Sequence, residues 1–332
     1  MKYIIDGHYD ILMDVAARRK KGERQVIRRR YYPAVQKGGV TGIVASIFVD
    51  SQYLPYGALS VAMEQISALH CEIEETPDLL MLCTSADDFL RAAETGKIGF
   101  LLSFEGAEPV SSCLLLHGFY AAGVRGLGLA WSRRNAAADG CDFSGSLKKG
   151  GLTEFGRELV KEAEDLHMIL DLSHLSDEGV EDVLSITSCP VIASHSNSRA
   201  VAGSNRNLTD CQMREIASRG GTVGLNGCSL LTAGPGVSPD QNGLTAHLDH
   251  MTEIMGEDHV AFGFDFCDSF FADDLSSSTD QMPERPFDIL SGAHENLPAF
   301  LDHLRQHGYT ESHLAKLAGE NWLHTFRHIL KH

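Results

Sequence analysis

The sequence predicts an α/β fold, a (β/α)8 TIM barrel that forms one domain over residues 1–332. Short β-branched runs alternate with stretches of helical periodicity, and this alternation continues to the end of the chain. Several of the runs are apolar throughout, as expected for parallel strands that are covered on both faces. An open, doubly wound sheet is the alternative that fits the same pattern.

The barrel is predicted to contain eight strands, and a ninth strand is possible at Leu79–Leu82. The eight strands are Tyr3–Ile5, Ile43–Val49, Gly99–Phe104, Val124–Leu129, Met168–Leu172, Val191–Ala193, Thr222–Leu225 and Val260–Phe264. Helices are predicted over residues 57–75, 85–95, 113–122, 152–166, 176–187, 208–219, 243–256, 288–305 and 311–331. N-cap residues at Ser176 and Thr209 support two of the helix starts.

Two long polar connections, 132–151 and 266–287, separate predicted elements. Loops of this length that follow barrel strands are typical of lids and binding loops. A disordered surface excursion is the alternative for each of them.

The composition is that of an ordinary globular protein, with 28 Lys and Arg, 45 Asp and Glu, and 43% hydrophobic residues. It excludes disordered and fibrous chains. The sequence lacks an apolar run of the roughly 18 residues that a membrane span needs, and it lacks a signal-peptide pattern. Eight scattered cysteines without a C-x-x-C pair favour reduced thiols. We therefore expect a soluble, cytoplasmic protein that does not bind membranes.

The net charge of −17 opposes nucleic-acid binding, because phosphate backbones require a cationic surface. Residues 18–30 depart from this trend, since they contain eight Lys or Arg residues and a single acid, Glu23. We expect this segment to be a solvated loop. Attraction of an anionic substrate and binding of a partner are the alternatives.

Residues suited to metal binding follow several of the predicted strands. His8 and Asp10 come after the first strand, and their spacing of two places both side chains on the same side of an extended chain. The other strand-end residues of this kind are Glu105, His174, His195 and Asp265. The carboxyl ends of parallel strands converge on the face of a barrel where active sites form, so a single site is predicted.

The number of these residues indicates two metal ions. His8, Asp10, His174 and His195 would be terminal ligands, and Glu105 would bridge ions about 3.5–4 Å apart. Imidazole and carboxylate ligands suit zinc, and open coordination positions would hold a hydroxide. Asp265 would remain as the general base and acid.

Nine short stretches, distributed over nearly the whole chain, resemble one family, the membrane (renal) dipeptidases of the amidohydrolase superfamily. Members of this family are zinc enzymes with a (β/α)8 fold. The matching stretches are residues 6–10, 105–108, 123–125, 151–153 with Gly156, 171–174, 194–197, 206–208, 259–265 and 321–323.

The resemblance implies a role for each candidate residue. The five metal ligands proposed above match the family's binuclear zinc site, with Glu105 bridging the two Zn²⁺ ions, and Asp265 matches its catalytic aspartate. Arg206 matches the arginine that binds the terminal carboxylate of the substrate, a role that suits a guanidinium fork. Asn207 and Trp131 are further candidate substrate-binding residues.

The sequence departs from the family pattern at two places. Trp131 stands where many members have a histidine that contacts the substrate near the scissile carbonyl. Oxyanion stabilisation would then come from the zinc ions or from loop 132–151. Trp131 has two alternative roles, packing at the barrel mouth and stacking on the substrate. In the family's Asp-Phe-Asp-Gly run, Cys267 and Asp268 replace the last two residues.

These expectations combine into a zinc-dependent dipeptidase in which a metal-bridging hydroxide attacks the peptide carbonyl. The family's tolerance of a D-configured second residue implies L-Xaa-D-Xaa as well as L-Xaa-L-Xaa substrates. The alternatives are another amidohydrolase that acts on an N-acyl amino acid or lactone, and a binding module that a metal only stabilises. The expected partner is a small dipeptide, without nucleic acid or membrane, and a homodimer is possible.

Overall fold

A computed structural model describes residues 1–142, 150–271 and 286–330. Its strands form a single sheet in which every pairing is parallel, as predicted. The strands are β1 (Ile5–Tyr9), β2 (Gly42–Phe48), β3 (Leu80–Leu82), β4 (Ile98–Glu105), β5 (Val124–Gly128), β6 (Ile169–Asp171), β7 (Ile192–Ala193), β8 (Thr222–Leu225) and β9 (Val260–Phe262).

Eight of these strands form the barrel in the order β1-β2-β4-β5-β6-β7-β8-β9. The ninth, β3, pairs with β4 but is not part of this order. Just beyond β9, the backbone N–H of Asp265 donates to the carbonyl of His8 in β1 at 3.2 Å. The barrel is therefore nearly closed, and the predicted (β/α)8 fold is confirmed. The additional strand is also confirmed as β3.

Helices surround the barrel: α1 (Ile11–Lys20), α2 (Tyr32–Lys37), α3 (Ala58–Glu75), α4 (Ala86–Glu94), α5 (Cys113–Ala121), α6 (Glu154–Asp165), α7 (Asp177–Ile186), α8 (Asp210–Ser218), α9 (Ser229–Thr232), α10 (Gln241–Met255), α11 (Asp268–Phe271), α12 (Leu297–Gln306), α13 (Glu311–Ala315) and α14 (Asn321–Ile329). The hydroxyls of Ser176 and Thr209 accept backbone N–H groups at the starts of α7 and α8, which confirms both caps. Among the helices that the structure describes, none combines the length and apolar character needed to cross a membrane.

Several predicted boundaries are wrong. The first strand starts at Ile5 instead of Tyr3 and continues through polar residues, because its pairing with β2 extends to Tyr9. The helix predicted over 288–305 begins only at Leu297. Gly292 has a left-handed backbone conformation (φ +83°), which prevents an earlier helix from continuing through this position. Parts of both long connections, residues 143–149 and 272–285, lie outside the described residues.

The basic segment 18–30 is only in part the expected solvated loop, because residues 21–24 are exposed whereas both ends of the segment belong to helical elements. Its first residues end α1, where Arg18 is buried and donates to Asp14 at 2.7 Å. Arg19 donates to Glu75 on α3 at 2.7 and 2.9 Å and also contacts Glu72. These carboxylates compensate the positive charge locally, so the segment joins α1 to α3.

Two apolar clusters form the core. The larger one lies between the strands and the surrounding helices. The smaller one contains inward-facing strand residues such as Val44 and Leu101, together with Trp322 of α14. The indole of Trp322 is fully buried, donates to the carbonyl of Phe262 at 2.9 Å, and packs so closely on Gly7 that a Cβ there would lie 2.5 Å from it. Trp322 therefore packs directly against β1 and β9 from below the site.

We predict that Trp322→Ala lowers the free energy of unfolding by about 3–5 kcal/mol, because it leaves a cavity and an unpaired carbonyl among these strands. Urea denaturation followed by circular dichroism measures the change. Leu114→Ala is the matched control, since Leu114 is 81% exposed and its loss should cost less than about 0.5 kcal/mol. Equal stability of the two variants would contradict this packing role.

Candidate active site

Six candidate residues come together at the carboxyl ends of the strands, as the sequence predicts. Their ligand atoms form overlapping groups within 4.8 Å, each able to hold a metal ion. Three of the groups are His8 with Asp10 and Glu105, Glu105 with His174 and His195, and His8 with His195 and Asp265; a fourth joins Asp10 and Asp265 to the thiol of Cys267. The convergence predicted from strand ends is therefore present in the fold.

Glu105, the last residue of β4, lies between the imidazoles. Its Oε2 is 3.5 Å from Nε2 of His8, whereas its Oε1 is 2.9 Å from Nε2 of His174 and 3.6 Å from Nε2 of His195. The Ser46 hydroxyl donates to Oε2 at 3.0 Å and orients the carboxylate. Each oxygen thus faces a different group of ligands, which is the arrangement of a bridging carboxylate.

The imidazoles direct their Nε2 atoms toward the centre. Nδ1 of His174 is 2.8 Å from the Ser132 hydroxyl, and Nδ1 of His195 is 2.7 Å from that of Ser194. The Nε2 atoms of these two histidines are then 2.9 Å apart. Nε2 of His8 has no hydrogen-bond partner within the part of the chain that the structure describes. Buried nitrogens that face each other and neighbouring carboxylates in this way suit a metal cation.

The electrostatics of the site support the same interpretation. Burial lowers the pKa of His174 to about 3 and that of His195 well below its ordinary value, so both imidazoles are neutral, as metal binding requires. Burial also opposes a charge on His8, but Glu105 and Asp10 together raise its pKa well above the usual value. A positive charge is therefore favoured where Nε2 of His8 meets the carboxylates, and a metal ion can supply it.

Asp265 follows β9 in a left-handed conformation (φ +58°), and His174 is also left-handed (φ +68°). Such strain at non-glycine residues is typical of functional sites. The amide of Asn226 donates to Oδ2 of Asp265 at 3.0 Å, and the thiol of Cys267 lies 3.7 Å from Oδ1. Burial raises the pKa of Asp265 well above its ordinary value.

The three predicted substrate-binding residues lie in different environments. Arg206 is buried and donates to the Ser196 hydroxyl and to the carbonyl of His195, both at 2.8 Å. Asn207 is fully buried, and its amide donates to the backbone carbonyls of Ala202 and of Leu231 in α9. Trp131 is half-buried, and its ring centroid is 5.7 Å from that of His174. Arg206 and Trp131 therefore adjoin the metal ligands, whereas the Asn207 amide holds the loop.

Sequence reasoning missed the polar residues that support the ligands. They are Ser46, Ser132, Asp171, Ser194 and Asn226. Asn226 directly follows β8, so the strand-end criterion that found the ligands could also have found it. The other four are small or common polar residues, and only their contacts in the fold distinguish them.

Comparison with known proteins identifies the family. A model of the membrane dipeptidase family, peptidase family M19, matches residues 2–331. The chain belongs to this family. It is therefore a metal-dependent hydrolase that acts on peptide bonds.

Individual relatives are similar over most of the chain. A protein in the pqqA 5′ region of Klebsiella pneumoniae is 33% identical over 283 residues, which are 83% of this chain and 98% of that protein. Dipeptidase verJ of Clonostachys rogersoniana is 31% identical over 66% of this chain and 55% of its own length. A Rhodobacter sphaeroides metallopeptidase, crystallised with a phosphinate mimic of L-Ala-D-Ala, has a TM-score of 0.85 at 28% identity and covers 98% of this chain and 99% of its own. The family M19 dipeptidase AC has a TM-score of 0.85 at 29% identity, with 99% and 98% coverage.

We predict that metal binding to the metal-free protein at pH 6 releases a proton from His8. His8 carries a proton at this pH because its pKa is raised, whereas a metal ligand must be neutral. Lowering the pH through this pKa therefore weakens metal binding. Calorimetry in buffers of different ionisation enthalpy counts the protons released, and His8→Gln should release about one fewer than the wild type. An equal number from both proteins would contradict the prediction.

Proposed function

We propose that the protein is a zinc-dependent dipeptidase that cleaves L-Xaa-L-Xaa and L-Xaa-D-Xaa dipeptides. The observation that carries the proposal is the meeting of five metal-ligand side chains and one further carboxylate within a single site. A purely stabilising metal would not require the further carboxylate, Asp265.

The proposed centre holds two zinc ions, with Glu105 shared between them. His8 and Asp10 complete one set of ligands, and His174 and His195 complete the other. Bound zinc would supply Lewis acidity to the peptide carbonyl and to the attacking water. The donor set fits zinc because two of its imidazoles are neutral and the third faces carboxylates.

Asp265 is the proposed general base and acid. Its carboxylate lies within 4.8 Å of the nitrogen atoms of His8 and His195, so it reaches the space between the two sets of ligands. Asn226 holds Oδ2, and burial favours the protonated carboxyl. Asp265 can thus accept a proton from the attacking water and later donate it to the leaving nitrogen.

Arg206 is the proposed binding residue for the carboxylate of the second substrate residue. Its guanidinium has five N–H donors, and two of them bond to Ser196 and to the carbonyl of His195. The Nε atom has no partner among the described residues, so donors remain for a substrate. Its position next to His195 places this cation beside the metal ligands. The L-Ala-D-Ala mimic bound to the Rhodobacter sphaeroides relative supports cleavage before a D-residue.

Trp131 and Asn207 are proposed to act on the substrate differently. Trp131 contacts Phe48 edge to face (5.4 Å between centroids), and the Arg133 guanidinium lies 5.1 Å from its ring. This packing leaves one half-buried aromatic surface beside His174 for stacking on a substrate. Asn207 contributes by holding the loop that carries Arg206.

Metal analysis combined with a substrate panel tests the proposal. We predict two zinc ions per chain and hydrolysis of L,L and L,D dipeptides, with much slower turnover of N-acyl amino acids and lactones. Elemental analysis and chromatographic detection of the released amino acids provide the measurements. Preferred turnover of a lactone, or the absence of bound metal, would contradict the proposal.

Asp265→Asn is the matched variant for this experiment. It retains the shape of the side chain but cannot accept the proton, so kcat should fall about 10²–10⁴-fold while both zinc ions stay bound. Full activity with an unchanged metal content would exclude Asp265 as the base.

We predict that Arg206→Lys raises KM for dipeptides about 10–100-fold with a smaller change in kcat, because lysine keeps the charge but loses the paired guanidinium donors. Steady-state kinetics on L-Ala-L-Ala measure the effect. The C-terminal amide of the same dipeptide is the control, since it lacks the carboxylate and should not distinguish the two enzymes. Equal losses on both substrates would indicate a structural role for Arg206.

A further inference from the structure

The hydroxyl of Ser194 lies under the metal centre and contacts three ionisable side chains. Its Oγ is 2.7 Å from Nδ1 of His195 and 3.4 Å from Nδ1 of His8, and it donates a short hydrogen bond to Oδ2 of Asp171. Both Ser194 and Asp171 are buried. One hydroxyl therefore connects a carboxylate with two of the proposed ligands.

The hydrogen-bond inventory determines which atoms carry protons here. Oδ1 of Asp171 accepts the backbone N–H groups of Ser173 (3.0 Å) and Ser194 (2.9 Å). An ionised carboxylate only accepts, so the Ser194 hydroxyl must give its single proton to Oδ2. The oxygen of Ser194 is then an acceptor, and Nδ1 of His195 must be the donor. The same holds for Nδ1 of His8, at a longer distance.

This proton arrangement has a consequence for metal binding. An imidazole that is protonated at Nδ1 has its lone pair at Nε2, and the Nε2 atoms of His8 and His195 are the ones that face Glu105. The two rings are stacked with centroids 3.6 Å apart, so they are held as a pair. His8 groups with Asp10 and Glu105, His195 groups with His174 and Glu105, and the two histidines also share a group with Asp265.

We propose that Ser194, held by Asp171, is a positioning residue that sets the Nδ1–H tautomer of both His8 and His195 and thereby links the two metal positions. The proposal rests on the binuclear centre described under the proposed function. Polar groups behind metal ligands commonly change metal affinity 10–100-fold when they are removed. Here one hydroxyl serves a ligand of each ion, so its loss affects both.

The experiment measures zinc affinity by competition with a chelator, starting from the metal-free full-length chain. We expect Ser194→Ala to bind both zinc ions about 10–100-fold more weakly than the wild type. Ser194→Thr keeps the hydroxyl and should recover most of the affinity. Ser132→Ala is the matched control: of the proposed ligands the Ser132 hydroxyl contacts His174 alone, besides the thiol of Cys141 at 3.6 Å, so this variant should weaken one ion only.

Asp171→Asn tests the tautomer without removing the hydroxyl. The two backbone N–H groups hold the amide oxygen at the Oδ1 position, so the amide NH₂ replaces Oδ2 and donates to Ser194. The Ser194 proton then turns either to an imidazole Nδ1 or to Oγ of Ser173 at 3.5 Å, so the Nδ1–H tautomer is no longer enforced. Long-range ¹H–¹⁵N spectra of the zinc-loaded, ¹⁵N-histidine-labelled protein should show Nδ1–H for His8 and His195 in the wild type and a loss of this pattern in Asp171→Asn.

Two results would overturn the inference alone: zinc affinities of Ser194→Ala within twofold of the wild type, or unchanged tautomers in Asp171→Asn. Either variant suffices if the other does not fold. A wild-type chain that binds no zinc would instead overturn the proposed function and, with it, the inference.

Discussion

The site depends on one electrostatic constraint, the burial of several carboxylates and imidazoles at one end of the barrel. Carboxylates that leave water require a compensating cation or hydrogen-bond donors. His174 and His195 cannot supply the charge, because burial keeps their pKa values low. Ser46 and Asn226 satisfy single oxygens of Glu105 and Asp265, which leaves the others directed at the centre. Metal ions in the proposed centre would provide this compensation, which in the metal-free protein falls to the charge favoured on His8.

Another buried carboxylate, that of Asp6, fixes the backbone segments that carry two of the candidate site residues. Its Oδ1 accepts the N–H groups of His8 (3.3 Å) and Phe264 (2.9 Å), and its Oδ2 contacts Nε2 of His294 at 2.7 Å. Asp6 therefore ties β1 to the segment after β9 at the point where the barrel closes. Because His8 and Asp265 belong to these two segments, the same contacts place the first ligand opposite the proposed base.

The sequence was sufficient for the barrel and for the convergence of the candidate ligands, because both follow from a rule about parallel strands. Each ligand is a chemically distinctive residue at the carboxyl end of an apolar run, as Glu105 and His174 show. The contribution of residues 18–30 could not be predicted, because the partners of Arg19 are distant in sequence, on α3. The role of Ser194 could not be predicted either, although the residue lies in one of the matching stretches. A serine next to a strand has no distinctive pattern, and only the fold brings Asp171 and two imidazoles to its hydroxyl.

Close backbone approach beneath the candidate ligands requires two glycines. A Cβ at Gly224 in β8 or at Gly263, just after β9, would lie 2.0 or 1.8 Å from the carbonyl oxygen of Ser194, just after β7, so these segments can approach one another only because both positions are glycine. Trp322 occupies the space farther below and keeps that end apolar. The interior thus changes from apolar packing to a layer of short polar side chains and then to the ligands. In this order, the imidazoles of His8 and His195 can donate their Nδ1–H to a hydroxyl below while Nε2 faces the mouth of the barrel.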